Sequence, residues 1–197
     1  MIEVEKKFVL SPEAETKIAQ LATLKSEKVI TDAYYDTADA QLGLKDIWLR
    51  LRDEQFELKV PLRPDGDKSG VVYYRELLDD VSIREELDLP HTDSLEADLK
   101  TAGFVIQAKF TTTRRHYQYE DFTIDLDILD FGYTIGEIEL LLEGDEDMAA
   151  AEAKIEAFAK EHKLQGLPQT GSKFAEYLRR KNKPYYALLV KGGRIKE

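Results

Sequence analysis

Residues 121–139 read Asp121-Phe122-Thr123-Ile124-Asp125-Leu126-Asp127-Ile128-Leu129-Asp130-Phe131-Gly132-Tyr133-Thr134-Ile135-Gly136-Glu137-Ile138-Glu139. Alternate residues of a strand share a face. Asp125 and Asp127 therefore oppose Ile124, Leu126 and Ile128, and Glu137 and Glu139 oppose Ile138, Leu140 and Leu142. Asp130-Phe131-Gly132 has the composition of a turn. The stretch predicts two strands, each acidic on one face and apolar on the other.

The same split recurs outward from this stretch. Over 2–9, Glu3, Glu5 and Lys7 oppose Ile2, Val4 and Phe8. Over 47–52, Trp48, Arg50 and Arg52 oppose Ile47, Leu49 and Leu51. Over 55–61, Glu57 and Lys59 oppose Phe56, Leu58 and Val60. Glu76 lies on one face of 71–78, and Arg114 and His116 share a face of 104–119, which a turn at Glu120-Asp121 joins to 121–129. Segments 28–36 and 132–144 also read as strands, and 63–70 as a loop. Four helical stretches are expected. Ser11 caps one with Pro12 at its first position and Ile18, Leu21 and Leu24 on one face. Thr92 or Asp93 starts a second that Gly103 stops; 146–162 forms a third; and 172–190 forms one or two, broken near Asn182-Lys183-Pro184. Consecutive strands with helices before, between and after predict an α+β fold with a largely antiparallel sheet. About eight strands suffice to close a barrel.

Two arrangements satisfy this alternation. In an open sheet the apolar face packs on helices and the charged face meets water. In a closed barrel the charged face lines a tunnel and the apolar face carries outer helices. Charges of one sign recur at i, i+2 in Glu3/Glu5, Arg50/Arg52, Asp125/Asp127 and Glu137/Glu139. Such pairs repel unless opposite charge sits between them, which favours the tunnel. Carboxylate pairs offer the hard oxygen ligands of Mg²⁺, and the basic side chains offer donors to phosphate oxygens. Cross-strand salt bridges, each worth roughly 0.2–1 kcal/mol, account for the same pattern.

Composition excludes other chemistries. The chain has 197 residues, 39 Asp+Glu against 28 Lys+Arg, and a formal net charge of -11. That balance disfavours nucleic-acid binding. At 43 % hydrophobic residues a sizeable core is available. The absence of cysteine removes disulfides, thiolate zinc sites and a cysteine nucleophile. His91, His116 and His162 lie too far apart in sequence for a histidine zinc motif. No GxxxxGK[ST] loop marks a P-loop. No apolar run is long enough for a membrane span, and MIEVEKKF is not a signal peptide, so a cytoplasmic monomer is expected.

Glu3-Val4-Glu5-Lys6-Lys7 fits the ExExK signature of the triphosphate tunnel metalloenzymes, the CYTH superfamily. Asp32-Ala33-Tyr34-Tyr35-Asp36-Thr37, Trp48-Leu49-Arg50-Leu51-Arg52, Phe56-Glu57-Leu58-Lys59, Asp125-Leu126-Asp127 and Gly136-Glu137-Ile138-Glu139 follow in that family's order. The stretch 125–139, with Ser172-Lys173-Phe174 and Tyr177-Leu178, is similar to the thiamine triphosphatase branch. The resemblance implies one domain over 1–197: a closed eight-stranded antiparallel β tunnel, helices packed outside, and C-terminal helices at about 146–190. It implies divalent-metal-dependent hydrolysis of a small-molecule triphosphate with Mg²⁺, or Mn²⁺ in its place. Thiamine triphosphate is the leading substrate. Tripolyphosphate hydrolysis, a class IV adenylyl cyclase and a non-catalytic polyphosphate-binding module are the alternatives.

Carried over residue by residue, the resemblance makes Lys7, Arg50, Arg52, Lys59, Arg114 and Lys173 triphosphate contacts, with Lys7, Lys59 and Arg52 closest to catalysis. Glu3, Glu5, Asp125, Asp127, Glu137 and Glu139 become the metal set. Glu76 takes a polar tunnel position, and Trp48 stacks on the organic group. Two positions depart from the branch. Thr113 stands where a lysine is expected, but points away from Arg114; Phe174 stands where a more flexible or aliphatic residue is expected. By position alone Lys173, at a helix start, is an exposed lysine. His116 reads as a hydrogen-bonding residue, and 143–147 as a solvated helix entry.

Overall fold

The computed structural model describes residues 2–62, 70–143, 148–167 and 171–195. Its strands are β1 (Ile2–Phe8), β2 (Thr23–Asp36), β3 (Trp48–Arg52), β4 (Gln55–Pro61), β5 (Val71–Leu77), β6 (Val105–Tyr119), β7 (Phe122–Leu129) and β8 (Thr134–Leu142). They close into a barrel in the order β1-β5-β4-β3-β2-β6-β7-β8, with β8 returning to β1. Every pairing is antiparallel. The register sets Glu5 opposite Glu139, Arg50 opposite Glu57, Lys59 opposite Glu76, and Arg114 opposite Asp127. The closed barrel, not the open sheet, is therefore the arrangement adopted.

Helices cover the apolar exterior. Helices α1 (Pro12–Leu21) and α4 (Met148–Glu161) set Ile18, Ile155 and Phe158 against Val4, Ile124, Leu126 and Ile138. Helices α2 (Asp80–Leu87) and α3 (Leu95–Thr101) set Ile83 and Leu99 against Leu49 and Leu58. Helices α5 (Lys173–Lys181) and α6 (Lys183–Lys191) set Leu178 and Leu189 against Phe110 and Ile135. No helix among the described residues is long and apolar enough to cross a membrane.

Local chemistry explains the boundaries. Ser11 accepts the Ala14 amide at 3.2 Å with Pro12 at the first helical position. Asn182 ends α5 and caps α6, accepting the Tyr185 amide at 3.3 Å, so the expected break is a shared cap. Several expectations need correction. α1 stops at Leu21, and Leu24 belongs to β2 and is half exposed, because β2 begins at Thr23 rather than 28. α3 is capped by Ser94, while Thr92 bonds Asp98 instead. α2 was not expected: it has few apolar positions, but Asp79 caps it by accepting the Ser82 amide at 2.9 Å. Most of the expected 63–70 loop, and residues 144–147 of the helix entry, lie outside the described residues.

Gly136 on β8 faces Phe8 on β1. A Cβ there would stand 2.0 Å from the Phe8 ring. Gly136→Ala is expected to cost about 1–3 kcal/mol through overpacking. Urea unfolding checks this, and Phe8→Leu in the same chain should recover part of the loss.

Candidate active site

The inward faces of the strands enclose a cavity of about 360 Å³. Its lining includes Glu3, Glu5 and Lys7 from β1, Trp48, Arg50 and Arg52 from β3, and Lys59 from β4. Glu76, Arg114, Glu137 and Glu139 complete the belt from β5, β6 and β8, and Lys173 enters from α5. Asp125 and Asp127 stand immediately behind, buried and bonded to Arg114. The structure thus gathers every residue named from the sequence at one place.

Lys173 is 6 % exposed, contrary to its positional expectation. Ser172 caps α5 by accepting the Ala175 amide, and that fixes Lys173 in the first turn. Its Nζ donates to Asp127 at 2.7 Å and to Glu137 at 2.8 Å. Arg114 donates to Asp127 through Nε at 2.8 Å and reaches Glu137 at 3.1 Å. Lys59 donates to Glu3 and lies 3.4 Å from Glu5 and from Glu76. Lys7 donates to Glu5 and lies 3.8 Å from Glu137. His116 shares a hydrogen bond of 2.8 Å with Asp125, the structural part its sequence position suggests.

Sequence reasoning left Asp32, Glu57 and Tyr74 out of the site, and reads Tyr34 and Tyr35 as packing residues of which one reaches the tunnel through its hydroxyl. Asp32 accepts from Arg52 at 2.8 Å, and Glu57 accepts from Arg50 at 2.7 Å. Tyr74 accepts from the Trp48 indole at 3.3 Å, and Tyr34 lines the cavity beside Arg50. The signal was present: Asp32 and Tyr34, Glu57 and Lys59, and Tyr74 and Glu76 each share a strand face.

Burial and pairing pull the carboxyls apart. Burial raises Glu5, but Lys59 and Lys7 outweigh it and bring the group to about 2. Burial likewise raises Glu137, and Lys173, Lys7 and Arg114 hold it well below the usual range. Glu139 is pushed up to about 7 by burial and by Asp125 and Glu137. Glu3 is raised well above the usual range, chiefly by burial, with Lys59 offsetting only part. Lys7 and Lys59 are both raised, because their carboxylate neighbours outweigh burial.

Oxygens of Glu3, Glu5 and Glu139 lie within 4.8 Å of one another, and so do those of Asp125, Glu137 and Glu139. Asp127 belongs to neither group, and its oxygens accept from Arg114 and Lys173. Carboxylate oxygens suit a hard divalent cation. Burial and neighbouring carboxylates favour the protonated forms of Glu3 and Glu139. The donor set fits a metal that would replace those protons.

A closed β barrel whose interior joins a carboxylate cluster to a belt of lysine and arginine defines a class of polyanion-and-metal tunnel. The chain belongs to the CYTH family: residues 1–175 match the CYTH domain. It is similar to the thiamine-triphosphatase of Homo sapiens, 30% identical over an alignment that covers 91% of this chain and 85% of that protein. The thiamine-triphosphatase of Macaca fascicularis is 29% identical, spanning 96% of this chain and 90% of that protein. Among solved structures, a Pyrococcus horikoshii protein shares the fold at TM-score 0.63 and 23% identity, covering 91% of this chain and 99% of that one. A Hippeastrum putative adenylyl cyclase, described as having a dominant triphosphatase activity, shares it at TM-score 0.59 and 21% identity, covering 90% of this chain and 95% of that one.

The raised and lowered carboxyls make stability depend on pH in opposite senses. Glu5 and Glu137 stabilise the fold above the unfolded carboxyl value near 4.5, and that stability is lost as pH falls below it, for Glu5 as pH nears about 2. Glu139 keeps its proton in the fold up to about 7, so the metal-free protein loses stability as pH rises from 4.5 to 7. One group contributes at most about 1.4 kcal/mol per pH unit. Melting of the metal-free protein across pH 5–8 is expected to show a decline that Glu139→Gln flattens.

Proposed function

We propose that this protein is a Mg²⁺-dependent triphosphatase that cleaves the terminal phosphate from thiamine triphosphate. The observation that carries the reading is the sharing of one cavity by Glu3, Glu5, Glu137 and Glu139, the lysine and arginine belt and the Trp48–Phe174 aromatic pair. The relatives' activity supports it.

In this reading Lys7, Arg50, Arg52, Lys59, Arg114 and Lys173 grip the triphosphate oxygens. Glu3, Glu5, Asp125, Glu137 and Glu139 hold metal, and Asp127 orients Arg114 and Lys173. When bound, the ion would supply neutralisation of phosphoryl charge and would lower the pKa of coordinated water. Phosphoryl transfer is mainly a matter of positioning and charge stabilisation. Lys7 and Lys59 keep their protons and so serve as fixed cations rather than bases. Lys7, Lys59 and Arg52 are the closest to the chemistry. The organic group rests on Trp48. Net charge of -11 opposes a polyanion at long range, so the metal complex binds in preference to the free triphosphate.

Phosphate release from thiamine triphosphate, tripolyphosphate and ATP, each with Mg²⁺, tests the reading. Thiamine triphosphate is expected to give the highest kcat/KM; cyclic AMP from ATP would instead establish a cyclase, and binding without turnover a sensor. Glu5→Gln and Glu139→Gln should each raise the half-saturating Mg²⁺ about tenfold or more. Arg52→Ala should raise KM more than it lowers kcat. Wild-type Mg²⁺ dependence and KM in these variants would overturn the site assignment.

A further inference from the structure

One part of the cavity wall differs from the rest. Trp48 and Phe174 meet edge to face at 5.3 Å between ring centres, and Tyr34 lies 4.8 Å from Phe174. The same cavity is lined by Asp46, Leu189, Arg194 and Ile195. Asp46 pairs with Arg194 at 2.6 Å, with side chains 19% and 24% exposed. Asp46 is also close to Tyr74, whose hydroxyl accepts the Trp48 indole: burial first, and Asp46 second, push that hydroxyl up. A carboxylate therefore stands beside the aromatic group, on the same wall.

This wall is held from outside the barrel. Asp46 ends a short 3-10 turn, Gly43–Lys45, in the left-handed region at φ 63. Gly43 lies beneath α6, where a Cβ would stand 2.8 Å from the Tyr185 hydroxyl and 2.9 Å from Leu189. Tyr185 donates to Asp36 at 2.5 Å, and Asp36 accepts the Leu42 and Gly43 amides at 3.0 and 2.7 Å. Past α6, a Cβ on Gly192 would stand 2.1 Å from Leu44. These two close approaches clamp the turn to α6 and bring Arg194 onto Asp46. Leu189, Arg194 and Ile195 come after the matched CYTH residues 1–175, whereas Tyr34, Asp46, Trp48 and Phe174 lie within them.

The Asp46–Arg194 pair is partly buried, so a ligand cation that takes the place of Arg194 keeps the Asp46 carboxylate paired while the guanidinium returns to water. A cationic ring over a tryptophan face gains from the ring quadrupole as well as from a neighbouring carboxylate. An anionic or neutral group gains neither, and an added phosphate would be repelled by Asp46.

We propose that Asp46 is a specificity-determining residue of this tunnel, selecting triphosphate esters whose organic group is a cation that takes the place of Arg194 against Asp46 and Trp48. The inference rests on the triphosphatase reading and names the substrate class that the same cavity takes. A thiazolium, permanently charged, is such a group; a purine nucleoside and bare tripolyphosphate are not.

Trp48 is the single tryptophan of the chain, so its fluorescence reports the site. Thiamine, which carries the cation and no phosphate, is titrated into the wild-type protein, Asp46→Asn, Asp46→Glu and Arg194→Gln. The dissociation constant is expected to rise about tenfold in Asp46→Asn, to return toward wild type in Asp46→Glu, and to fall in Arg194→Gln. In parallel, the ratio of kcat/KM for thiamine triphosphate to that for tripolyphosphate should fall about tenfold in Asp46→Asn, mainly through KM. No quenching of the wild type by thiamine, equal dissociation constants in wild type and Asp46→Asn, or an unchanged ratio overturns the proposal. Should Asp46→Asn fail to fold, unchanged thiamine affinity in Arg194→Gln overturns it equally. A wild type that hydrolyses no triphosphate yet binds thiamine through Asp46 would instead refute the triphosphatase reading alone.

Discussion

The closure of β1 onto both β5 and β8 is the constraint on which everything else depends. Closing the sheet turns its charged face inward, where each ionic group loses water and must find partners across the barrel. The result is a connected lattice: Lys59 between Glu3, Glu5 and Glu76, and Lys173 and Arg114 between Asp127 and Glu137. Burial and neighbouring carboxylates push Glu3 and Glu139 up, and a cation beside them would favour their ionised forms. The tunnel is thus organised for a charge it does not itself supply.

The two faces of the barrel do different work. The outer face packs Ile124, Leu126 and Ile138 against α1 and α4, and burial there supplies most of the driving force for folding. The inner face is a poor source of stability, because removing two charges from water offsets most of their attraction. What it supplies is fixed geometry, in which donors and acceptors are aimed before any ligand arrives. Alternation at period two lets one strand serve both purposes, since a residue and its neighbour never compete for the same side.

The helices add to the site as well as covering it. α5 contributes Lys173 and Phe174 in successive positions, one to the ionic lattice and the other to the aromatic wall beside Trp48. α6 reaches the same wall through Leu189 and, beyond its end, Arg194. Phe174, an unexpected residue at its position for the thiamine branch, is therefore packed between Trp48, Tyr34 and Tyr185 rather than tolerated as an irregularity.

Alternation along β1, β3, β4, β7 and β8 was enough to name the residues that share the charged face, because a strand's side-chain period is a local property. The helix cap at Ser11 and the break near Asn182 were legible for the same reason, whereas the caps at Ser172 and Asn182 and the short, weakly apolar α2 were not. Local pattern could not say whether the charged face met water or enclosed a cavity; that depends on β8 meeting β1, more than 120 residues apart in sequence. Nor could it say that Asp127 accepts from Arg114 and Lys173 while Asp125, two residues away, pairs with Arg114 and His116 and approaches Glu137 and Glu139. The pairing of Asp46 with Arg194 lies equally beyond sequence, since neither residue belongs to a repeating pattern. Periodicity fixes which way a side chain points; which charge it meets is decided only when distant strands and helices close around a common space.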